Sequence, residues 1–231
     1  MDVVFLITTY NRQESCQRLV DSLQGLGDIV VLGDCVDYII TGCTFFNLKQ
    51  HNGKYFYWQT VQTLFSLRGK HKYYVMIPDD WMPFDGFLNR AIATWEGISD
   101  KKKVCLNILC PGTEGLRNWT GFPAKDMGNV FKTQWVDMCF ICEDLFFRAL
   151  GGLPSTIRSF KSSGVGAYIS RKLHKHGFNM YMVKEVLFEP TKDHSLTQMH
   201  DEQNNNPRSS FSTRTRKVFD TRNRGSKRPM R

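Results

Sequence analysis

Residues 3–9, Val-Val-Phe-Leu-Ile-Thr-Thr, form an unbroken apolar and β-branched run. A strand with one wet face alternates apolar and polar side chains. A run without alternation reads as a strand buried on both faces, the pattern of a central strand in a parallel sheet. Cys16, Leu19, Val20 and Leu23 follow at helical spacing, Gly25 and Gly27 close that helix, and Ile29-Val30-Val31-Leu32 is a second buried run. Together they predict a βαβ unit, whose sheet needs helices on both faces.

The alternation continues. Helices are expected over residues 55–67, 87–95, 145–150 and 167–176, and strands over 73–77, 104–109, 135–141 and 180–188. This is the pattern of one α/β domain with a mostly parallel central sheet, and 41% hydrophobic residues in 231 supply one core amply. Composition turns polar at Asp201-Glu202-Gln203, which divides the chain into a domain over 1–200 and a tail over 201–231. No apolar run approaches the ~20 residues of a membrane helix, and Asp2 sits where a secretory signal has its basic start, so a cytoplasmic protein without a membrane span is expected. Seven cysteines, an odd count without paired CxxC spacing and mostly in apolar runs, read as buried thiols.

Charge is unevenly placed. Of the net +9, residues 207–231 carry +8, with nine Lys and Arg against Asp220 alone. Such a tail suits a polyanionic partner, and equally a solvated end.

Polar residues collect where the strands are expected to end, the usual ligand edge of an open α/β sheet. They are Thr8-Thr9-Tyr10-Asn11-Arg12, Gly33-Asp34, and Pro78-Asp79-Asp80-Trp81-Met82-Pro83. Two adjacent acids at a partly buried strand end require hydration or a cation, and an oxygen-only set suits Mg²⁺ or Mn²⁺ bridging to a diphosphate. A turn that places both acids in water is the alternative. Neither the spaced glycines of a dinucleotide fingerprint nor a P-loop is present, which removes most of the case for nicotinamide-dependent or ATP-cleaving chemistry.

The order Thr8-Thr9-Tyr10-Asn11-Arg12, Asp34, Asn52-Gly53-Lys54, then Asp79-Asp80 and Pro83, resembles the GT-A nucleotide-sugar glycosyltransferases near family 2. The segment from Phe146 through Gly151-Gly152-Leu153-Pro154 is similar to their acceptor side, and the likeness runs over residues 3–195. It implies a single Rossmann-like domain that moves a sugar from a nucleoside diphosphate, UDP foremost, to an acceptor hydroxyl. Carried across, it puts Thr8, Tyr10 and Arg12 on the nucleotide, Asp34 on its base, Lys54 and Asp79 beside the donor, and Asp80 and His194 on Mn²⁺ or Mg²⁺. Pro78 stands where the family's acidic motif has its first acid, and Gly164-Val165-Gly166 where many inverting members carry a Glu-Asp pair.

An inverting transfer needs a base for the acceptor proton. Asp137, expected on a strand at the acceptor side, is the candidate, with Glu143 and Asp144 as alternatives and a retaining mechanism open. Residues 162–166 are expected to form a loop over the cleft, and Arg158, Lys161, Arg171, Lys172 and Lys175 a basic rim. Such a rim suits a nucleic acid, the expected acceptor being a hydroxymethylated pyrimidine in viral DNA, as in the DNA-modifying glycosyltransferases of bacteriophages. Polysaccharide, lipopolysaccharide or protein acceptors are the competing reading, and an inactive fold that binds nucleic acid is a third.

Overall fold

The computed structural model describes residues 2–109, 124–153 and 163–191. In chain order the elements begin β1 (Val3–Thr9), α1 (Gln13–Ser22), β2 (Asp28–Gly33), β3 (Thr44–Asn47), α2 (Gly53–Ser66), β4 (Tyr73–Pro78), β5 (Trp81–Pro83) and α3 (Phe87–Gly97). They continue as β6 (Lys103–Asn107), β7 (Lys125–Asp126), β8 (Val130–Thr133), β9 (Phe140–Cys142), α4 (Asp144–Leu150), α5 (Ser163–Lys175), β10 (Asn179–Val183) and β11 (Phe188–Pro190).

Nine strands form one sheet in the order β3-β2-β1-β4-β9-β6-β10-β8-β7. Seven run the same way, and only β8 and β9 oppose them. Val3, Phe5 and Ile7 of β1 enter one core with Leu19 of α1 and Leu88 of α3, while Val4 and Leu6 enter the other with Val61 of α2, Phe146 of α4 and Ile169 of α5. This two-sided burial is why the first run lacks alternation.

The mostly parallel α/β expectation therefore holds, and three local expectations do not. The strand over 135–141 shortens to Phe140–Cys142, because residues before it are held by side chains instead of a neighbouring strand: Asn107 Oδ1 accepts the Asp137 N–H at 2.7 Å and Ser170 Oγ accepts the Val136 N–H at 2.8 Å. Asp137 thus sits on a loop. The strand over 180–188 is two strands in different sheets, β10 and β11, the latter pairing with β5. Gly164, Val165 and Gly166 belong to the first turn of α5 and not to a loop, since Val165 is fully buried and Gly166 lies against the Val136 carbonyl. The buried-thiol expectation holds for Cys16, Cys105, Cys139 and Cys142, while Cys35 is exposed and Cys110 lies outside the described residues.

A Cβ added at Gly166 would lie 2.5 Å from the Val136 oxygen, a backbone atom that cannot swing aside. Gly→Ala inside a helix ordinarily stabilises by about 1 kcal/mol. Here overpacking wins, and Gly166→Ala is expected to lower stability by about 1–3 kcal/mol in urea unfolding. An unchanged or raised midpoint would refute this.

Candidate functional site

The parallel strands end at one edge, and the polar segments gather there. Asn11 takes a left-handed backbone (φ 53°) directly after β1, a conformation asparagine tolerates, and the turn brings Arg12 back over the sheet. The Arg12 guanidinium reaches β4's end, with Nη1 2.9 Å from Asp79 Oδ1 and 3.1 Å from Asp80 Oδ2. Asp79 is the more buried acid. Burial pushes it up to about 6 against the pull of Arg12, and the neighbouring Asp80 charge adds to the rise. For Arg12, burial acts downward, but the two carboxylates outweigh it and raise its pKa above the ordinary value.

Two tyrosines brace the same turn. Tyr38 shares a 3.0 Å hydrogen bond with Thr9 and accepts the Arg12 N–H at 3.2 Å. Tyr57 shares one of 3.2 Å with Thr8, and burial, with the charges of Asp79, Asp80 and Asp137 adding, raises it to about 12. The Asp80 backbone is held from the far side, where its carbonyl accepts the Thr191 N–H at 2.9 Å just past β11.

Asp137 completes the constellation. Burial pushes its carboxyl up to about 6, the Met138 N–H opposes the shift, and the Asp80 charge adds to it. Its Oδ1 accepts that N–H at 2.7 Å, whereas Oδ2 is buried without a hydrogen-bond partner among the described residues. A buried carboxylate oxygen with nothing to accept is costly and marks a place for a donor. Strand direction sets the alternatives apart from Asp137. Since β9 runs against the parallel strands, Asp137 before it lies at the ligand edge, and Glu143 and Asp144 after it lie at the opposite one. There Glu143 accepts the Trp95 Nε1–H at 2.9 Å, and Asp144 pairs with Arg148 and Arg68.

Other expected residues are placed differently. Asp34 accepts the Asn52 N–H at 2.8 Å and the Gly53 N–H at 2.9 Å, capping a helix whose own N-cap residue, Asn52, makes no capping bond with its side chain. Its carboxylate is thereby committed to the start of α2. His51 Nδ1 lies 3.1 Å from the same carboxylate, and its ring stacks on Tyr10 with centroids 4.3 Å apart. Lys54 is in the first turn of α2, with its side chain outside the described residues. Arg171 and Lys172 fall in the second half of α5, which runs away from the ligand edge, and Lys172 Nζ donates to the Gly152 carbonyl at 3.1 Å. They form no rim beside the site. His194, Arg158, Lys161 and the 200/201 boundary lie outside the described residues.

Sequence reasoning missed Tyr38, Tyr57, His51 and Asn107. Only His51, directly before Asn52-Gly53, carried a local signal. The other three act through the partners the fold brings them.

No family model matches the chain, and no curated protein matches it in sequence. Solved structures do. GalNAc-T7 with UDP, GalNAc and Mn²⁺ superposes with a TM-score of 0.61 at 14% identity, covering 79% of this chain, which spans only 42% of the length of that one. Glucosyl-3-phosphoglycerate synthase from Mycobacterium tuberculosis, in complex with Mn²⁺, UDP and phosphoglyceric acid, gives 0.58 at 11% identity over 87% of this chain and 74% of that one. The same enzyme with Mg²⁺ and UDP gives 0.57 at 12%. The fold is that of the GT-A glycosyltransferases. Within it, the turn Asp79-Asp80 stands at the ligand edge, between Arg12 and the loop of Asp137.

Proposed function

We propose that the protein transfers a sugar from a nucleoside-diphosphate donor, UDP foremost, to an acceptor hydroxyl. One observation carries the reading: Asp79 and Asp80 share one guanidinium at the ligand edge, the charges of Asp80 and Asp137 act on each other there, and Asp79 and Asp137 each have an oxygen buried without a hydrogen-bond partner among the described residues. Net negative charge in a partly dry site calls for a cation.

The donor set fits Mg²⁺ or Mn²⁺. It is oxygen only, and among the described residues no three Asp, Glu, His or Cys side chains close around one point, so the protein supplies part of a shell that a diphosphate would complete. Asp80, the more exposed acid, would hold the ion, whose charge would stabilise the departing diphosphate. Asp137 Oδ2 takes the acceptor proton, and a pKa near 6 leaves it ionised at neutral pH yet basic enough to serve. Arg12 holds Asp79 and Asp80 in register. Tyr10, with the stacked His51, offers the base a flat face.

For the acceptor, the hydroxymethylated base of a nucleic acid remains our reading on the charge of residues 207–231 alone, because the basic residues of α5 lie elsewhere.

Calorimetry tests the donor. UDP is expected to bind, at least tenfold more tightly with Mn²⁺ present, and Asp80→Ala to abolish that metal dependence while leaving the unfolding midpoint in place. A folded protein that ignores UDP with and without Mn²⁺ or Mg²⁺ would defeat the proposal.

A further inference from the structure

The edge opposite the donor site gathers basic side chains from two elements distant in sequence. Lys101 and Lys102 form the exposed turn leading into β6. Arg171, His174, Lys175 and His176 are exposed along the last turns of α5 and just beyond. Pairing in the sheet joins the two groups: β6 and β10 run in parallel with Asn179 opposite Lys103, and the Asn179 N–H donates to the Lys102 carbonyl at 2.8 Å. The α5 end is folded onto the same place by the Phe178 N–H, which donates to the Leu173 carbonyl at 3.1 Å.

The acids at this edge are engaged elsewhere: Glu143 with Trp95, Asp144 with Arg148 and Arg68, Glu96 with Lys72 and Tyr73, and Asp100 within the fold. Asp100 Oδ2 accepts from Tyr181 Oη at 2.6 Å and Asn179 Nδ2 at 2.7 Å, and Oδ1 accepts the Lys102 N–H at 2.8 Å. Its carboxylate is thus turned into the fold. The large apolar side chains exposed among the described residues are Ile39, Phe46, Phe56, Phe84, Met127 and Val186, and none belongs to the basic turn or to α5. A surface that enters a lipid headgroup layer would couple charge to exposed apolar groups, whereas phosphate-backbone binding rests on Lys and Arg alone.

We infer that this edge is a docking surface for the phosphate backbone of a nucleic acid, separate from the donor site. All the parallel strands point their carboxyl ends the other way, and α5, 13 residues long, sets Lys175 about 18 Å along its axis from Ser163. A strand held here leaves the donor edge open. The surface anchors the protein on the polymer without being the place of transfer.

The test is fluorescence anisotropy of the full chain with a labelled duplex DNA across a salt series, beside UDP calorimetry. The quadruple variant Lys101→Glu, Lys102→Glu, Arg171→Glu, Lys175→Glu is expected to weaken DNA binding more than tenfold and to flatten the log-affinity against log-salt slope by about 3 to 4, since each neutralised phosphate contributes roughly 0.9. Lys49→Glu, at the donor edge, should change DNA affinity less than threefold. UDP binding by the quadruple variant should match wild type, which shows that it is folded. A quadruple variant that keeps the wild-type affinity and slope overturns the inference. So does a wild type that ignores DNA while binding vesicles containing phosphatidylserine. Failure of UDP binding in the wild type would sink the transfer reading and leave this one standing.

Discussion

Arg12→Ala is expected to destabilise the protein by about 3–5 kcal/mol, the usual result of removing one partner from a buried ion pair. The guanidinium and Asp79 are each about nine-tenths buried as side chains, and Asp80 draws on the same nitrogen. Without Arg12, Asp79 faces the Asp80 charge in a dry turn. Protonation relieves that repulsion, so the loss depends on pH. Folding already raises Asp79 from 3.8 to about 6, so this group favours the folded state most below pH 4 and loses that contribution as pH climbs through 6. Removing the cation lifts the folded value further. The deficit of Arg12→Ala should therefore be smallest in acid and grow through the same window. Urea unfolding at pH 4.5 and 7.5 measures it, and Arg12→Met with Asp79→Leu should recover much of the loss, because an apolar pair leaves no charge stranded. A deficit below about 1 kcal/mol at pH 7.5 would show that the pair is solvated.

The same turn shows what a sequence reveals and what it withholds. The Val3–Thr9 run disclosed a strand buried on both faces because each of its side chains meets a core, Val4 and Leu6 on one side and Phe5 and Ile7 on the other. Asp79 and Asp80 were legible because acids directly after such a strand stand out against it. The short strands β3, β7 and β8 at the two ends of the sheet were not legible, for they are only two to four residues long, most of their residues are exposed or half-exposed, and β8 is set in the sheet by β10, remote in sequence. Asp34 illustrates a subtler limit. It directly follows β2, but the unpaired N–H groups at the start of α2 lie in space beside it and take the carboxylate first. The acidic role at Asp137 was legible only as a residue type. Its placement depends on strand polarity, since β9 reverses direction and thereby sends Glu143 and Asp144 to the far edge.

That reversal makes Asp137 the residue on which the proposed chemistry is tested. Asp137→Asn keeps the shape and the Oδ1 bond to the Met138 N–H while removing the proton acceptor. UDP release from a UDP-sugar with Mn²⁺ and acceptor is expected to fall by about 10²–10⁴, with UDP affinity little changed, the split that identifies loss of a proton-transfer group and not of a binding contact. The wild-type rate should carry an acid limb. With the carboxyl raised to about 6, the basic form is lost as pH drops below that value, and the rate should decline toward tenfold per unit there. The variant should lack the limb, which a merely structural role would leave in place. Near-wild-type turnover in Asp137→Asn would remove the base from this loop. Because Glu143 is bound to Trp95 at the opposite edge and Asp144 is paired there with Arg148, neither alternative from the sequence would inherit the role, and a double-displacement route with retention would become the reading to test.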